Sequence, residues 1–362
     1  MSKAWQMAAA GACALALGGG VLAGCGSSGG GSSTGGGGGG SGDTTGSGAT
    51  FPAAAYTRWG RDSGYASYQA KGSGAGIQDL INGLVQWAGS DAPMTEQEQS
   101  AMASKRGGAT PVYFPTLLGA VSVPANVSGA TKPLKIESAV IGDIFAGTVT
   151  KWNDPKIAST NAGVSLPDQP IVVCVRADSS GTSYNFSRYL ARESPDFKAK
   201  VGEGNKTPAW GAPNLVKQPG NPGVAQCVKS NDNSIGYVDL GDARQAGLKD
   251  KLVEVGVNGT FTAPSVATIQ AAGASAPEDP ALIIDPGSQT PPKGYPITVT
   301  TWIIAYSDYT KAKVKGAMAT QKWLQYVYSS GAQQILPTFG FAPLPQGVKA
   351  QAAKNIPNLQ GT

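Results

Sequence analysis

Arg176, Asp178, Ser180, Gly181 and Thr182 fall in one short run, and their types suit the binding of an oxyanion. Arginine presents a planar fork of donors matched to a tetrahedral anion, and a carboxylate two residues on can hold that fork in place. Ser180 and Thr182 add hydroxyl donors, while Gly181 removes the side chain that would keep the main chain away. The run follows a β-branched stretch, Ile171 to Val175, and precedes a segment in which Phe186, Tyr189 and Leu190 recur at helical spacing. That spacing predicts strand, polar turn and helix. A helix start points unpaired N–H groups and the positive end of its dipole into one place, which favours an anion there. The plainer reading is a capped turn with an incidental Arg176 to Asp178 ion pair.

Two further helix starts have a similar make-up. Gly46 to Pro52 leads into Ala53 to Trp59, where Pro52 suits a first helical turn and puts Thr50 and the Phe51 amide at the helix N-terminus. Tyr65 to Ala70 alternates like a strand, and Gly72-Ser73-Gly74-Ala75-Gly76 follows it. Ile77, Leu80, Ile81 and Leu84 then mark one apolar helical face. No Walker lysine and no second dinucleotide-type glycine pattern accompanies these loops, which argues against a nucleotide site. Val85 to Pro93 reads as a short strand ending in a turn that carries Asp91. Asp91 either caps that turn or accepts a proton carried by the anion itself.

The elements that position these residues belong to an exported chain. Residues 1–24 hold one charge, Lys3, and an apolar Ala/Leu/Gly run, the pattern of a signal peptide. Cys25 after Ala23 and Gly24 completes a lipobox, so Cys25 is expected to carry lipid and anchor the chain to a membrane. Residues 25–45 are mostly Gly, Ser and Thr and are expected to form a tether, reaching on the order of 25 Å for about 20 residues. The net charge of +5 drops by one with loss of Lys3, and the basic residues form no run that suggests a nucleic-acid surface. Roughly 315 residues remain, enough for two ordinary domains.

The chain contains no histidine, which removes the usual general base, zinc ligand and nucleophile activator together. No Asp/Glu grouping has metal spacing, and Ser180 has no visible activating partner, so an enzyme is the weaker class and no cofactor or metal is expected. Of the four cysteines, Cys13 leaves with the signal and Cys25 takes the lipid. Cys174 and Cys227 are then expected to pair in an oxidising compartment, with two separate buried thiols as the alternative.

Taken in order, the blocks Gly48 to Pro52, Gly72-Ser73-Gly74, Gly89 to Pro93, Phe114-Pro115-Thr116, Gly142 to Phe145 with Lys151-Trp152, Arg176 to Ser183, Ile235-Gly236-Tyr237, Pro296-Ile297-Thr298 and Ala342 to Pro345 resemble the phosphate-specific solute-binding proteins of bacterial high-affinity phosphate ABC transporters. The resemblance implies an α/β, two-lobed type II periplasmic-binding fold of the Venus-flytrap kind, with two hinge crossings and phosphate in the cleft. It implies Thr50, the Phe51 amide and Ser73 as donors from the first lobe and Asp91 as acceptor of the phosphate proton. Arg176, Ser180, the Gly181 amide and Thr182 become donors from the second lobe, with Asp178 orienting Arg176. Gln86 to Gly89, where relatives tend to carry an acidic-aromatic-glycine-alanine run, and the pair Cys174 and Cys227 depart from the family pattern away from these positions.

On this plan lobe I is residues 46–122 plus 298–362 and lobe II residues 123–297. Leu117 to Val123 and Ile297 to Tyr306 are the crossings. Thr310 to Tyr328 reads as one helix ended by Gly331, with Val314, Ala317, Met318, Leu324, Val327 and Tyr328 near one face. Leu252 to Pro296 has no clear pattern. Tripeptides at Asn126, Asn185, Asn205 and Asn258 match glycosylation acceptors and receive no role. The expected partners are inorganic phosphate, a transporter permease and, through the anchor, a membrane on its extracytoplasmic side; the expected state is a monomer. The alternatives are a receptor for sulfate, molybdate or a phosphonate, and a phosphate sensor or adhesin without transport.

Overall fold

The computed structural model describes residues 44–361. The expected signal peptide, the lipid site at Cys25 and the tether as far as residue 43 lie outside the described residues. The folded chain is built on two sheets. The first contains β1 (Thr44–Gly48), β2 (Ala66–Ala70), β3 (Trp87–Ser90) and β4 (Pro111–Ser122). The second contains β5 (Val172–Arg176), β6 (Leu215–Gln218) and β7 (Ser234–Gly236), with a short strand at Ala125–Asn126 on its edge. Two later strands, β8 (Val238–Asp239) and β9 (Thr298–Tyr306), return to the first sheet, whose order is β8-β4-β9-β3-β1-β2.

The strand β1 corrects the tether boundary. Thr44 and Thr45 pair with Ala66 and Ser67, and Gly46 pairs with both Tyr68 and Trp87. Small residues stand here because neighbours crowd the strand: a Cβ on Gly46 would lie 2.3 Å from the Trp87 ring, and one on Gly48 would lie 2.0 Å from the Gly89 carbonyl oxygen. A composition that reads as a tether is thus used to pass beneath a large aromatic group. Trp87 lies in a cluster with Tyr56, Tyr68 and Trp323; its ring stacks on Tyr68 at 5.3 Å between centroids.

Four of the parallel strands feed a helix whose start lies at the strand's C-terminal end. Helix α1 (Ala53–Ser63) follows β1, and α2 (Ser73–Ile81) follows β2. Helix α3 (Gly181–Glu193) follows β5, and α4 (Gly220–Ser230) follows β6. In open α/β sheets this arrangement gathers helix N-termini outside the carboxyl ends of the strands, where ligands bind. As its spacing predicts, α3 buries Phe186, Tyr189 and Leu190. Cys174 in β5 and Cys227 in α4 form a disulfide, with Cα atoms 6.1 Å apart.

Long antiparallel pairing of β4 with β9 carries the chain out of the first sheet and back into it. Between Ser122 and Thr298 the chain also touches that sheet through β8, which pairs with the end of β4. The stretch without a clear sequence pattern holds a hairpin of Glu254–Val257 with Thr260–Thr262, a helix at Val266–Gly273 and a second small hairpin, Glu278–Asp279 with Ile283–Ile284. It lies against the first sheet: Trp302 Nε1 donates to the Leu282 carbonyl at 2.9 Å, and Tyr295 donates to the Val121 carbonyl at 3.1 Å. Asp285 also pairs with Arg188 of α3 at 2.8 Å.

Three local expectations are corrected. Thr310 to Tyr328 is two helices, Tyr309–Ala312 and Ala317–Val327. Left-handed backbone at Lys313 (φ 55) and Gly316 (φ 112) breaks the run. Met318 then faces solvent, and Gly331 lies inside a further helix, Ser330–Gln334, that Ser329 caps. Leu84 falls beyond the end of α2 and is 70% exposed rather than part of its buried face.

Candidate anion-binding site

The starts of α1, α2, α3 and α4 meet around Arg176. This side chain ends β5 and is only 1% exposed. Its Nε donates to Asp178 Oδ1 at 2.8 Å, and Nη2 bonds Asp178 Oδ2, so the carboxylate takes one edge of the guanidinium. Burial opposes a charge on Asp178, yet the Arg176 guanidinium and the Gly220 amide hold its carboxyl below the usual range. Arg176 Nη1 donates to Asn221 Oδ1 at 2.7 Å and lies 3.4 Å from Thr182 Oγ1.

Among the residues singled out for an anion, Ser73, Asp91, Arg176, Asp178, Gly181 and Thr182 are linked here by hydrogen bonds, with Thr50 joined through Asn221. Thr50 Oγ1 accepts the Asn221 amide at 3.1 Å, which brings α1 and α4 into contact. Phe51 is buried, and its ring packs on Phe341 at 5.6 Å. Ser73 Oγ accepts from the Gly181 amide at 3.1 Å and from the Asp91 amide at 3.3 Å, so α2, α3 and the end of β3 share one hydroxyl. Ser180 caps α3: its Oγ accepts the Ser183 amide at 3.1 Å, leaving the hydroxyl hydrogen available. Thr182 Oγ1 lies 3.3 Å from Asp91 Oδ2, and Thr301 donates to Asp91 Oδ1 at 2.7 Å.

Asp91 is buried, and burial pushes its carboxyl up to about 7. Hydrogen bonds from Thr301 and Thr182 and the charge of Arg176 work in the opposite direction, and the nearby Asp239 adds to the rise. In its ionised form a carboxyl in this position can accept a hydrogen bond from a partner that carries a proton.

The sequence profile of the family described as "PBP superfamily domain" matches residues 32–330. The phosphate-binding protein PstS of Pasteurella multocida is 31% identical over 320 residues, covering 84% of this chain and 87% of its own length. That of Haemophilus influenzae is 33% identical over 322 residues, covering 84% and 89%. The chain belongs to the PstS family. Among solved structures, a phosphate-binding protein from Stenotrophomonas maltophilia has a TM-score of 0.71 at 22% identity over 86% of this chain and 93% of its own. A periplasmic phosphate-binding protein (PfluDING) bound with phosphate has 0.70 at 24%, over 88% and 99%. The fold is accordingly the α/β type II periplasmic-binding fold.

In this PstS-family chain four site residues escape the sequence. Asn185, set aside there as a glycosylation tripeptide, is 4% exposed, and its Nδ2 bonds the Asp91 carbonyl. Thr301 sits in a β-branched run of β9 where nothing marks one threonine from the next. Asn221 and Asp239 bond each other at 3.0 Å behind Arg176. The only local signals were an N-terminal helix position for Asn221 and the polar end of a buried strand for Asp239.

Proposed function

We propose that the chain is an extracytoplasmic receptor that binds inorganic phosphate between its two walls and hands it to a membrane ABC transporter. The buried Asp91 carboxyl among donors from both walls carries the reading. Phosphate near neutral pH keeps at least one proton and sulfate keeps none, so Asp91 pairs with the first and repels the second. In this reading Thr50, the Phe51 amide and Ser73 donate from the first wall. Arg176, Ser180, the Gly181 amide and Thr182 donate from the second, with Asp178 holding Arg176. Support comes from the convergence of these groups and from the named function of the PstS relatives.

The walls belong to two lobes: residues 44–122 with 298–362, and residues 123–297, the stretch 266–296 lying along the first sheet. Closing them excludes water and strengthens each charge-assisted bond. Release to the permease then needs only lobe opening, with no catalytic step. In this reading residues 1–24 are a signal peptide and Cys25 carries the lipid, so the receptor works as a monomer on the outer side of a membrane; among the described residues no helix is long and apolar enough to cross one.

The test is calorimetric titration of the full chain, unfolded and refolded to strip carried ligand, with phosphate and with sulfate near neutral pH. One-to-one phosphate binding with no sulfate response is expected, and Arg176→Ala should weaken it at least roughly tenfold. Sulfate binding alone, or binding of neither anion, overturns the proposal.

A further inference from the structure

Asn221 carries no charge and lies outside the anion-binding run, yet it touches both walls. Its side chain is fully buried at the start of α4. Three bonds fix it. The main-chain N–H donates to Thr50 Oγ1 at 3.1 Å, Oδ1 accepts from Arg176 Nη1 at 2.7 Å, and Nδ2 donates to Asp239 Oδ2 at 3.0 Å. The orientation of its amide has no alternative. Arginine can only donate, so the carbonyl must face Arg176, and the NH₂ is thereby turned to Asp239. Asp239 is held in turn, because its Oδ1 accepts the Asp242 amide at 2.8 Å as the cap of Leu240–Gln245.

We propose that Asn221 is a positioning residue for the anion site, fixed by Asp239 and acting on both Arg176 and Thr50. With Asp178 on one edge and Asn221 on Nη1, the guanidinium is gripped from two sides. One N–H on Nη2 is left for the anion, and the second on Nη1 is engaged only by a 3.4 Å bond to Thr182 Oγ1, the residue assigned to the same anion. The bond to Thr50 occupies a lone pair of the hydroxyl oxygen, so its hydrogen is free to point at the anion. A single neutral residue therefore sets one donor on each wall, through its side chain on Arg176 and its main chain on Thr50, without adding charge that would repel or overbind the ligand. This inference rests on the phosphate reading above and adds a residue to it.

A double-mutant cycle tests it on the full chain, with phosphate titrations of the unsubstituted protein, Asn221→Ala, Arg176→Ala and the double variant. If Asn221 works mainly through Arg176, its loss should weaken phosphate binding about tenfold in the natural background and less than about twofold once Arg176 is gone. A residue that merely supports the fold would cost the same factor in both backgrounds, and that result overturns the proposal. So does a loss below about twofold in the natural background. If Asn221→Ala does not fold, as judged by its melting transition, Asp239→Ser goes through the same cycle. It keeps a helix cap but withdraws the acceptor that anchors the Asn221 NH₂, and the same pattern of losses is expected. Failure of the unsubstituted chain to bind phosphate removes the functional reading itself. Normal binding with no coupling between positions 221 and 176 removes only the role of Asn221.

Discussion

In the proposed receptor, Asp91 is the single residue on which the choice of ligand turns most. Its carboxyl stands at about 7 rather than 3.8 because burial disfavours the charge more than Thr301, Arg176 and Thr182 favour it. The folded chain therefore keeps a proton that the unfolded chain releases, so the stabilisation is complete below the unfolded value of about 3.8 and is lost as pH rises towards about 7. The melting temperature of the phosphate-free chain should fall across that window, and Asp91→Asn should flatten the fall; parallel curves for the two proteins would assign the pH response to other groups. Above about pH 7, where Asp91 is ionised, the same substitution should narrow the preference for phosphate over sulfate by an order of magnitude or more, since a neutral amide no longer repels the unprotonated anion. An unchanged ratio in competitive titration would take specificity away from Asp91.

At the scale of elements, the site depends on how closely helix starts approach one another. Gly181 opens α3 against Ser73 and Asp91, and a Cβ there would lie 2.5 Å from Ser73 Oγ and 2.8 Å from Asp91 Cβ. Gly181→Ala should thus hold the walls apart and weaken phosphate binding at least about tenfold while leaving each sheet intact, given the usual cost of overpacking. Near-normal affinity would mean that the walls need not meet at this point. The disulfide joins β5 to α4, the two elements that carry Arg176 and Asn221, across a separation of 53 residues. Chain-entropy arguments give such a link about 2–4 kcal/mol, so a Cys174→Ala, Cys227→Ala chain should unfold at correspondingly lower denaturant. A midpoint that does not move would show that the bond constrains little in the unfolded chain.

At the scale of the whole molecule, the proposed lobe closure would be braced away from the anion by an ion pair. Lys206 Nζ reaches both oxygens of Glu98, at 2.7 and 2.6 Å, with side chains 11% and 16% exposed. Glu98 also bonds the Thr95 amide in a capping box, while the Lys206 carbonyl accepts the Ser180 amide at 2.9 Å, directly at the start of α3. The pair thus ties a helix of the first lobe to the loop that borders the anion-binding turn. Glu98→Gln preserves the cap and removes the charge, so stopped-flow release of phosphate should accelerate roughly fivefold, about 1 kcal/mol, with the association rate little changed. A release rate equal to that of the natural chain would make the pair a surface contact without a role in closure.

How much of this was legible depends on how far apart the partners lie in the chain. The β–turn–α units around Arg176 and Ser73, the helix start at Thr50 and the turn at Asp91 follow from patterns a few residues long, because capping, backbone freedom and helical periodicity act locally. The pairing of Cys174 with Cys227 also followed, since the chain offered no other mature thiol once Cys25 was assigned to lipid. Local pattern failed where neighbours decided the outcome. Thr44 and Thr45 became strand because β2 pairs with them, and Thr310 to Tyr328 broke at residues whose helical propensity does not forbid continuation. The sequence by itself determined the chemistry of the site, an anion held by an arginine, hydroxyls and helix starts, with one carboxyl among them. Tertiary structure alone decided the partners of those groups, because Thr301 meets Asp91 across 210 residues and Asn221 meets Thr50 across 171. Burial by the assembled lobes, which no short window of sequence contains, is also what carries Asp91 towards neutrality.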